Sequence, residues 1–219
     1  MKINIFIQAR MSSSRYPGKV LAPFQGIPMI KQIIDRSKRS IFAAEVIVLT
    51  SNHESDDPLV AYVEKIKCKV FRGDLNDVFD RFQKGLIQFP CDYFVRVSGD
   101  SPLIETGLID GMIEKIIDKK YDFSSNVFKR TFPKGQSIEI VKSESFFKIK
   151  SADLTDRERE HVMPYFYQHK EEYKYLLMES VEDFSHLNMC VDTLEDLQSL
   201  TISEKNYIFD KIKVSEKVC

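Results

Sequence analysis

Residues 3–19 read Ile-Asn-Ile-Phe-Ile-Gln-Ala-Arg-Met-Ser-Ser-Ser-Arg-Tyr-Pro-Gly-Lys, an isoleucine-rich run that turns abruptly polar and cationic. The apolar part, Lys2–Gln8, predicts a buried strand. The polar part brings Arg10, Arg15 and Lys19 together with the hydroxyls of Ser12, Ser13 and Ser14, and Pro17-Gly18 forces a turn. A triphosphate needs this combination, because cations neutralise its charge while hydroxyls and backbone amides supply short donors. Arginine forks onto two oxygens, and lysine supplies a mobile point charge. Neither the GxxxxGK[ST] of a Walker loop nor the GxGxxG of a dinucleotide fold is present. By composition alone, the stretch also fits a solvated surface loop.

The rest of the first half alternates strand and helix patterns. Residues 27–38 carry Met29, Ile30, Ile33 and Ile34 at helical spacing. Glu45–Thr50 is a β-branched run, hence a buried strand. Pro58 after Asp57 opens a helix bearing Leu59, Tyr62, Val63 and Ile66. Lys69–Phe71 is a short strand. Asn76 is placed to cap a helix with Val78, Phe79, Phe82 and Leu86. Tyr93–Val97 is a strand, and Thr106 begins a helix with Leu108, Ile109, Met112, Ile113 and Ile116. The order βαβαβαβα predicts an α/β domain with a mostly parallel sheet and helices on both faces. Ligands of such sheets sit beyond the carboxyl ends of the strands. The segments after Gln8, Thr50 and Val97 are therefore the candidates for function.

From about Tyr121 the pattern changes. Ser137–Val141, Tyr173–Met178 and Leu187–Val191 look strand-like, and residues 155–168 are charged and then aromatic. This half predicts an extension of the sheet and, within residues 121–185, an excursion that covers the site or makes a dimer contact. Thr193-Leu194-Glu195-Asp196 opens a last helix with a pattern like a capping box.

The 219 residues, 43% of them hydrophobic, suffice for one domain spanning 1–219. A net charge of -1 argues against a nucleic-acid binder held by a broad basic surface. The N-terminal apolar run is too short for a signal peptide, and no stretch approaches the roughly 20 apolar residues of a membrane helix. The expectation is a cytoplasmic protein without a membrane partner. Cys68, Cys91, Cys190 and Cys219 are isolated, with no zinc spacing, and read as reduced thiols.

Two aspartates stand out. Asp100 lies in Ser98-Gly99-Asp100-Ser101-Pro102, a turn at the end of a strand, where a carboxylate suits Mg²⁺ but also fits a turn that bonds to itself. Asp192 precedes Thr193, where it also fits a helix cap.

The arrangement ARxxSxRxPGK at residues 9–19, followed by Gly26-Ile27-Pro28-Met29-Ile30, resembles the N-terminal signature of the sugar-activating cytidylyltransferases. That group includes the CMP-Kdo and CMP-acylneuraminate synthetases. The nearest branch is the SpsF-like one of spore coat polysaccharide biosynthesis. The resemblance implies a Rossmann-like fold of the nucleotide-diphospho-sugar transferase type. It implies that Arg10, Ser13, Arg15 and Lys19 bind the triphosphate, and that Ala9 and nearby backbone contact the cytosine. Arg96-Val97-Ser98-Gly99-Asp100-Ser101-Pro102 resembles the family's metal segment, with glutamine in the Kdo branch where Ser98 stands here. Asp192 falls in the second metal segment, D-T-x-E-D-L. Arg72 falls in a segment that lines the nucleotide pocket, and it also reads as an ordinary ion-pair residue.

Asn126, Arg130, Lys134, Gly135 and Glu139 match a sugar-site segment of the branch, although Gln136-Ser137 replaces its common Leu-Asp. Arg159, Glu160 and His161 match an R-E-H-V-x-P-Y segment, in which His161 is either an acid or base or part of a helix surface at a dimer contact. The implied reaction moves CMP from CTP to an acidic sugar and releases pyrophosphate. The resemblance further implies that Arg10, Arg15, Lys19 and Asp100 are its catalytic groups, that Mg²⁺ sits on Asp100 and Asp192, and that the enzyme is a homodimer. A glycosyltransferase would commonly carry D-x-D, which is missing here. A non-catalytic CTP-binding paralogue is the other alternative.

Overall fold

A computed structural model describes residues 1–200 and 214–218. The first strand, β1 (Ile3–Gln8), is followed by a small hairpin of β2 (Pro23–Phe24) and β3 (Ile27–Pro28). Helix α1 (Met29–Lys38), β4 (Ala43–Ser51), α2 (Asp57–Lys65), β5 (Lys69–Gly73), α3 (Val78–Gln88), β6 (Tyr93–Ser98) and α4 (Thr106–Asp118) complete the alternating half. Then come β7 (Phe123–Ser125), β8 (Glu139–Lys142), α5 (Ser143–Phe147), α6 (Asp156–His161), α7 (Pro164–Gln168), β9 (Tyr175–Ser180), α8 (Leu194–Ser199) and β10 (Val214–Val218).

The main sheet has the order β10-β9-β7-β8-β6-β1-β4-β5. Strand β1 lies within the parallel set, parallel to β4 on one side and β6 on the other. β5 continues the parallel set, whereas β8 runs antiparallel to both β6 and β7. β7 and β9 pair in parallel, and β10 closes that side antiparallel. The expected mostly parallel sheet is present, and the second half extends it.

Alternation along the strands explains the two helical layers. Ile3, Ile5 and Ile7 face one core with Val46, Val48, Val95 and Val97, against α1, α2 and α4. Phe6, Ile47, Leu49 and Phe94 face the opposite core, against α3 and the α5–α7 region. A two-residue period with apolar side chains on both faces is what a doubly covered sheet requires. Burying each such side chain contributes about 1.5–3 kcal/mol.

Several boundaries differ from expectation. The Asp77 carboxylate, not Asn76, caps α3 by accepting the Asp80 amide at 2.8 Å. Helix α4 begins at Thr106 as expected, with Glu105 as its cap. Residues 27–28 pair in the hairpin, so α1 starts at Met29. β8 begins at Glu139 because the amide of Ile138 donates to Asn126 Oδ1 at 2.8 Å. Leu187–Val191 is not a strand; it makes one isolated bridge, Lys134 to Asn188. Its alternating pattern arises because Met189 and Val191 are buried with Phe24, Met29 and Leu103 in a small third cluster. Its backbone bonds go to loops instead: Met189 N–H to Lys134 O, 2.8 Å, and Val191 N–H to Asp100 O, 2.9 Å.

Gly135 makes that loop packing fit. It has φ +90, and a Cβ there would lie 2.5 Å from both the carbonyl carbon and oxygen of Met189. Gly135→Ala is expected to lower unfolding free energy by about 2 kcal/mol or more, through both strain and overlap. Urea denaturation measures this, and an unchanged midpoint would contradict the close approach.

Candidate active site

The loop after β1 is tied down at Met11. Its amide donates to Asp56 Oδ1 at 2.7 Å. Its carbonyl accepts the amides of Ser13, 2.9 Å, and Gly18, 2.8 Å, so the chain curls around it. Gly18 takes φ +75, which a glycine adopts without cost. Asp56 is fully buried in the turn between β4 and α2 and also accepts from Thr50 Oγ1 at 2.9 Å, from the Ser51 amide at 2.9 Å and from the Ser51 hydroxyl. Burial works to raise its pKa, yet these donors together hold the carboxyl below the ordinary aspartate value.

The loop after β6 approaches the loop after β1 at Gly99. A Cβ on Gly99 would lie 2.7 Å from that of Ala9, and the Gly99 amide donates to Gln8 O at 2.8 Å. This contact sets Asp100 beside the cationic loop. Asp192 arrives from the far end of the chain, ahead of α8. A capping box between Thr193 and Asp196 fixes it there, and Asp196 Oδ2 also accepts the Asp192 amide at 2.9 Å.

These three segments converge. The buried Lys19 ammonium donates to Asp192 Oδ1 at 2.9 Å and to Val191 O at 2.7 Å, and lies 3.5 Å from Asp100 Oδ2. Arg15 Nη2 takes the other oxygen of Asp192 at 3.0 Å. The cleft they border has a volume of about 360 Å³, and Ala9, Arg10, Ser13 and Ser98 also line it.

His161 lines the same cleft rather than the second cavity described below. It opens a γ-turn centred on Val162 at φ 68, closed by the Met163 amide donating to His161 O at 2.8 Å. A β-branched residue held at positive φ is strained, and such strain concentrates where a side chain must be aimed.

The second cavity, of about 330 Å³, shares Ser98 and Asp100 with the first. Arg130, Lys134, Gly135 and Glu139 border it. Arg130 donates to Ser137 Oγ at 3.3 Å, and among the described residues no carboxylate pairs with Arg130 or Lys134. Glu139 is buried, pairs with Arg96 and accepts the Tyr167 hydroxyl at 2.6 Å. Burial and the neighbouring Glu139 push the Tyr167 pKa well up, so its proton stays on oxygen.

Three expected residues lie elsewhere. Arg72 donates to the carbonyls of Ser51 and His53 at 3.0 Å and pairs with Asp57 at 2.7 Å, outside the cleft. Arg159 pairs with Asp77 at 2.9 Å and borders an adjoining cavity that it shares with Arg10. Asn126 is buried, and its amide braces Gln136 O at 2.7 Å. Gln136 in turn reaches Leu103 O at 2.7 Å, a structural role for the residue that departs from the family pattern.

Other site residues went unread. Arg96 sits on the same strand face as Ser98, and a period of two would have found it. Gln8 lines the first cleft, beside Ser14, one of the hydroxyls expected there. Asp56 carries no motif, since only the three-dimensional fold shows that it grips Met11. Cys190 borders the second cavity, where burial and nearby carboxylates push its thiol up to about 12, so it stays protonated.

A cationic loop and a carboxylate pair facing one cleft, at the carboxyl ends of a parallel sheet, define a nucleotide-using transferase. The match to the cytidylyltransferase family model runs over residues 4–215, and the chain belongs to that family. It is 32% identical over 205 residues to the spore coat polysaccharide biosynthesis protein SpsF of Bacillus subtilis, covering 90% of this chain and 84% of that protein. The structure of a cytidylyltransferase from Leptospira borgpetersenii superposes with a TM-score of 0.86 at 31% identity, covering 97% and 98% of the two chains. A CMP:2-keto-3-deoxy-manno-octonic acid synthetase complexed with CTP shares the fold, with a TM-score of 0.68 at 17% identity over 97% of this chain and 100% of that one. No helix among the described residues is long and apolar enough to cross a membrane.

Asp56→Ala is expected to lower stability by about 3 kcal/mol, since hydrogen bonds to a buried charge are lost and their donors left unpaired. The pH dependence has a definite sign. A depressed folded pKa contributes stability above the unfolded value, and that stability disappears as pH falls through the folded one. Denaturant midpoints of wild type and variant should therefore converge below the ordinary aspartate range.

Proposed function

We propose that the protein transfers CMP from CTP to an acidic sugar and releases pyrophosphate, with a divalent magnesium ion on Asp100 and Asp192. The carrying observation is the meeting of Lys19 with both carboxylates at 3.5 and 2.9 Å. Two hard oxygen donors directed at one cationic point fit magnesium. Among the described residues no cluster of three or more acidic, histidine or cysteine side chains could hold an ion by itself. Magnesium keeps waters and takes substrate phosphate oxygens, so two protein carboxylates are enough to hold it. When bound, the ion would neutralise phosphate oxygens and polarise the α-phosphate.

The chain's own residues account for the remaining work. An acceptor hydroxyl attacks the α-phosphorus, and the bond from that phosphorus to the pyrophosphate oxygen breaks. Arg10 and Arg15 carry the charge gathering on the departing pyrophosphate, with Ser13 and the backbone amides of the loop as shorter donors. Ala9 and Gly99 contribute backbone and little bulk, which leaves room for a flat base. Ser98 and Asp100 border both cavities, so the acceptor and the α-phosphate would meet there. Arg130 and Lys134, lacking carboxylate partners among the described residues, supply the charge to hold an anionic acceptor. A surface polysaccharide pathway is the corresponding context, supported by the likeness to SpsF.

A pyrophosphate-release screen of four nucleoside triphosphates against octulosonic and nonulosonic acids tests the reading, with CTP and one acid expected to give turnover. Asp100→Ala should keep its circular dichroism spectrum and lose about 10²–10³ in kcat. Release at the wild-type rate would count against the metal assignment. Arg130→Ala should raise KM for the sugar about tenfold or more while leaving KM for CTP near wild type. Equal changes in both would remove Arg130 from the acceptor site.

A further inference from the structure

Lys19 stands at the point where the two carboxylates would share an ion. Lys19 is the one buried lysine among the described residues, and three oxygens hold its ammonium: Asp192 Oδ1 at 2.9 Å, Val191 O at 2.7 Å and Asp100 Oδ2 at 3.5 Å. These partners are themselves linked, since the Val191 amide donates to Asp100 O at 2.9 Å. Arg15 takes the remaining oxygen of Asp192 at 3.0 Å. Two carboxylates thus face two cations, and the centre is charge-balanced as it stands.

We propose that Lys19 keeps the carboxylate pair closed to divalent cations until a nucleoside triphosphate arrives. This rests on the reading that Asp100 and Asp192 hold the metal. A divalent ion entering alone would have to displace an ammonium with three good acceptors, and would leave a buried cation uncompensated. A triphosphate removes that obstacle. Its oxygens offer Lys19 and Arg15 new partners, and its negative charge balances the incoming ion. Metal and nucleotide therefore load together, and the metal alone binds poorly. Lys19 then has two roles at different times: counterion to the carboxylates before binding, and phosphate ligand afterwards. The long flexible lysine stem suits such a move, whereas the planar fork of arginine does not.

The inference makes an unusual demand on a loss-of-function variant. Lys19→Met, which removes the charge but keeps the apolar stem, should bind a divalent cation more tightly than wild type. Mn²⁺ is the probe, with free ion read by electron paramagnetic resonance, in the absence and presence of CTP. Wild type alone should bind Mn²⁺ weakly, and CTP should tighten it sharply. K19M without CTP should bind about tenfold or more tighter than wild type, because a like charge has left a site a few ångströms away. The double variant K19M/D192N should lose that gain. Equal Mn²⁺ affinity of wild type and K19M without CTP would overturn the inference, and so would tighter binding by wild type. The CTP arm separates this from failure of the metal reading itself. Wild type that takes up no protein-bound Mn²⁺ even with CTP would show that the carboxylate pair is not a metal site. If K19M is unfolded without metal, recovery of its circular dichroism spectrum on adding Mn²⁺ supports the inference, and no recovery overturns it.

Discussion

The ammonium of Lys19 between Asp100 and Asp192 ties the architecture to the chemistry. Three segments distant in sequence meet there, and each is positioned by a separate local device. Pro17-Gly18 and the bonds around Met11 shape the first loop. The absence of a side chain at Gly99 lets the second loop lie against the first. The capping box of α8 fixes the third. Removal of any one device would leave charged groups buried without partners, a costly state in a low-dielectric interior. Electrostatics and packing are therefore coupled at this point, and the fold and the site cannot be tuned independently.

The alternating half of the chain was legible because its signals are local. Apolar residues at helical or strand spacing mark the main-sheet strands and the helices from β1 to α4, though not the β2–β3 hairpin or every boundary, and the parallel order follows from the rule for βαβ units. The second half was harder to read, because its strands are short and its polar groups satisfy one another across loops. Leu187–Val191 shows this: the apolar residues Met189 and Val191, two apart and in one cluster, imitate a strand, although their backbone bonds go to Lys134 and Asp100. Periodicity reports which side chains are buried and does not report where amides find partners.

Site residues divide in the same way. Arg15 and Lys19 sit in a loop whose cationic, hydroxyl-rich composition is itself unusual, whereas Asp100 and Asp192 also fit a turn and a helix cap and were singled out by their resemblance to family segments. Arg72 and Arg159 sit in patterns that looked comparable, yet their guanidinium groups are taken up by Asp57 and Asp77. A motif identifies a charge but not its counterion. Asp56 is the opposite case, an ordinary aspartate in the sequence whose role comes entirely from Thr50, Ser51 and Met11 closing around it.

The two cavities differ in how charge is balanced, and that difference bears on specificity. At the first cleft both carboxylates have a cation, so an anionic ligand there would be recognised by exchange of partners. At the second cavity, Glu139 is already committed to Arg96 and Tyr167, and Arg96 is also held by Gln8 Oε1 at 3.0 Å. That chain of bonds runs from the first cavity to α7 and makes a rigid floor. Arg130 and Lys134 stand at its edge without carboxylate partners among the described residues, so an anionic acceptor would meet groups that need not be freed first. On the proposed reading, the first cleft must exchange partners before it binds, whereas the second offers its cations directly. Changes of sugar preference among related chains should therefore concentrate in residues 126–139, leaving the strand-end loops of the parallel half intact.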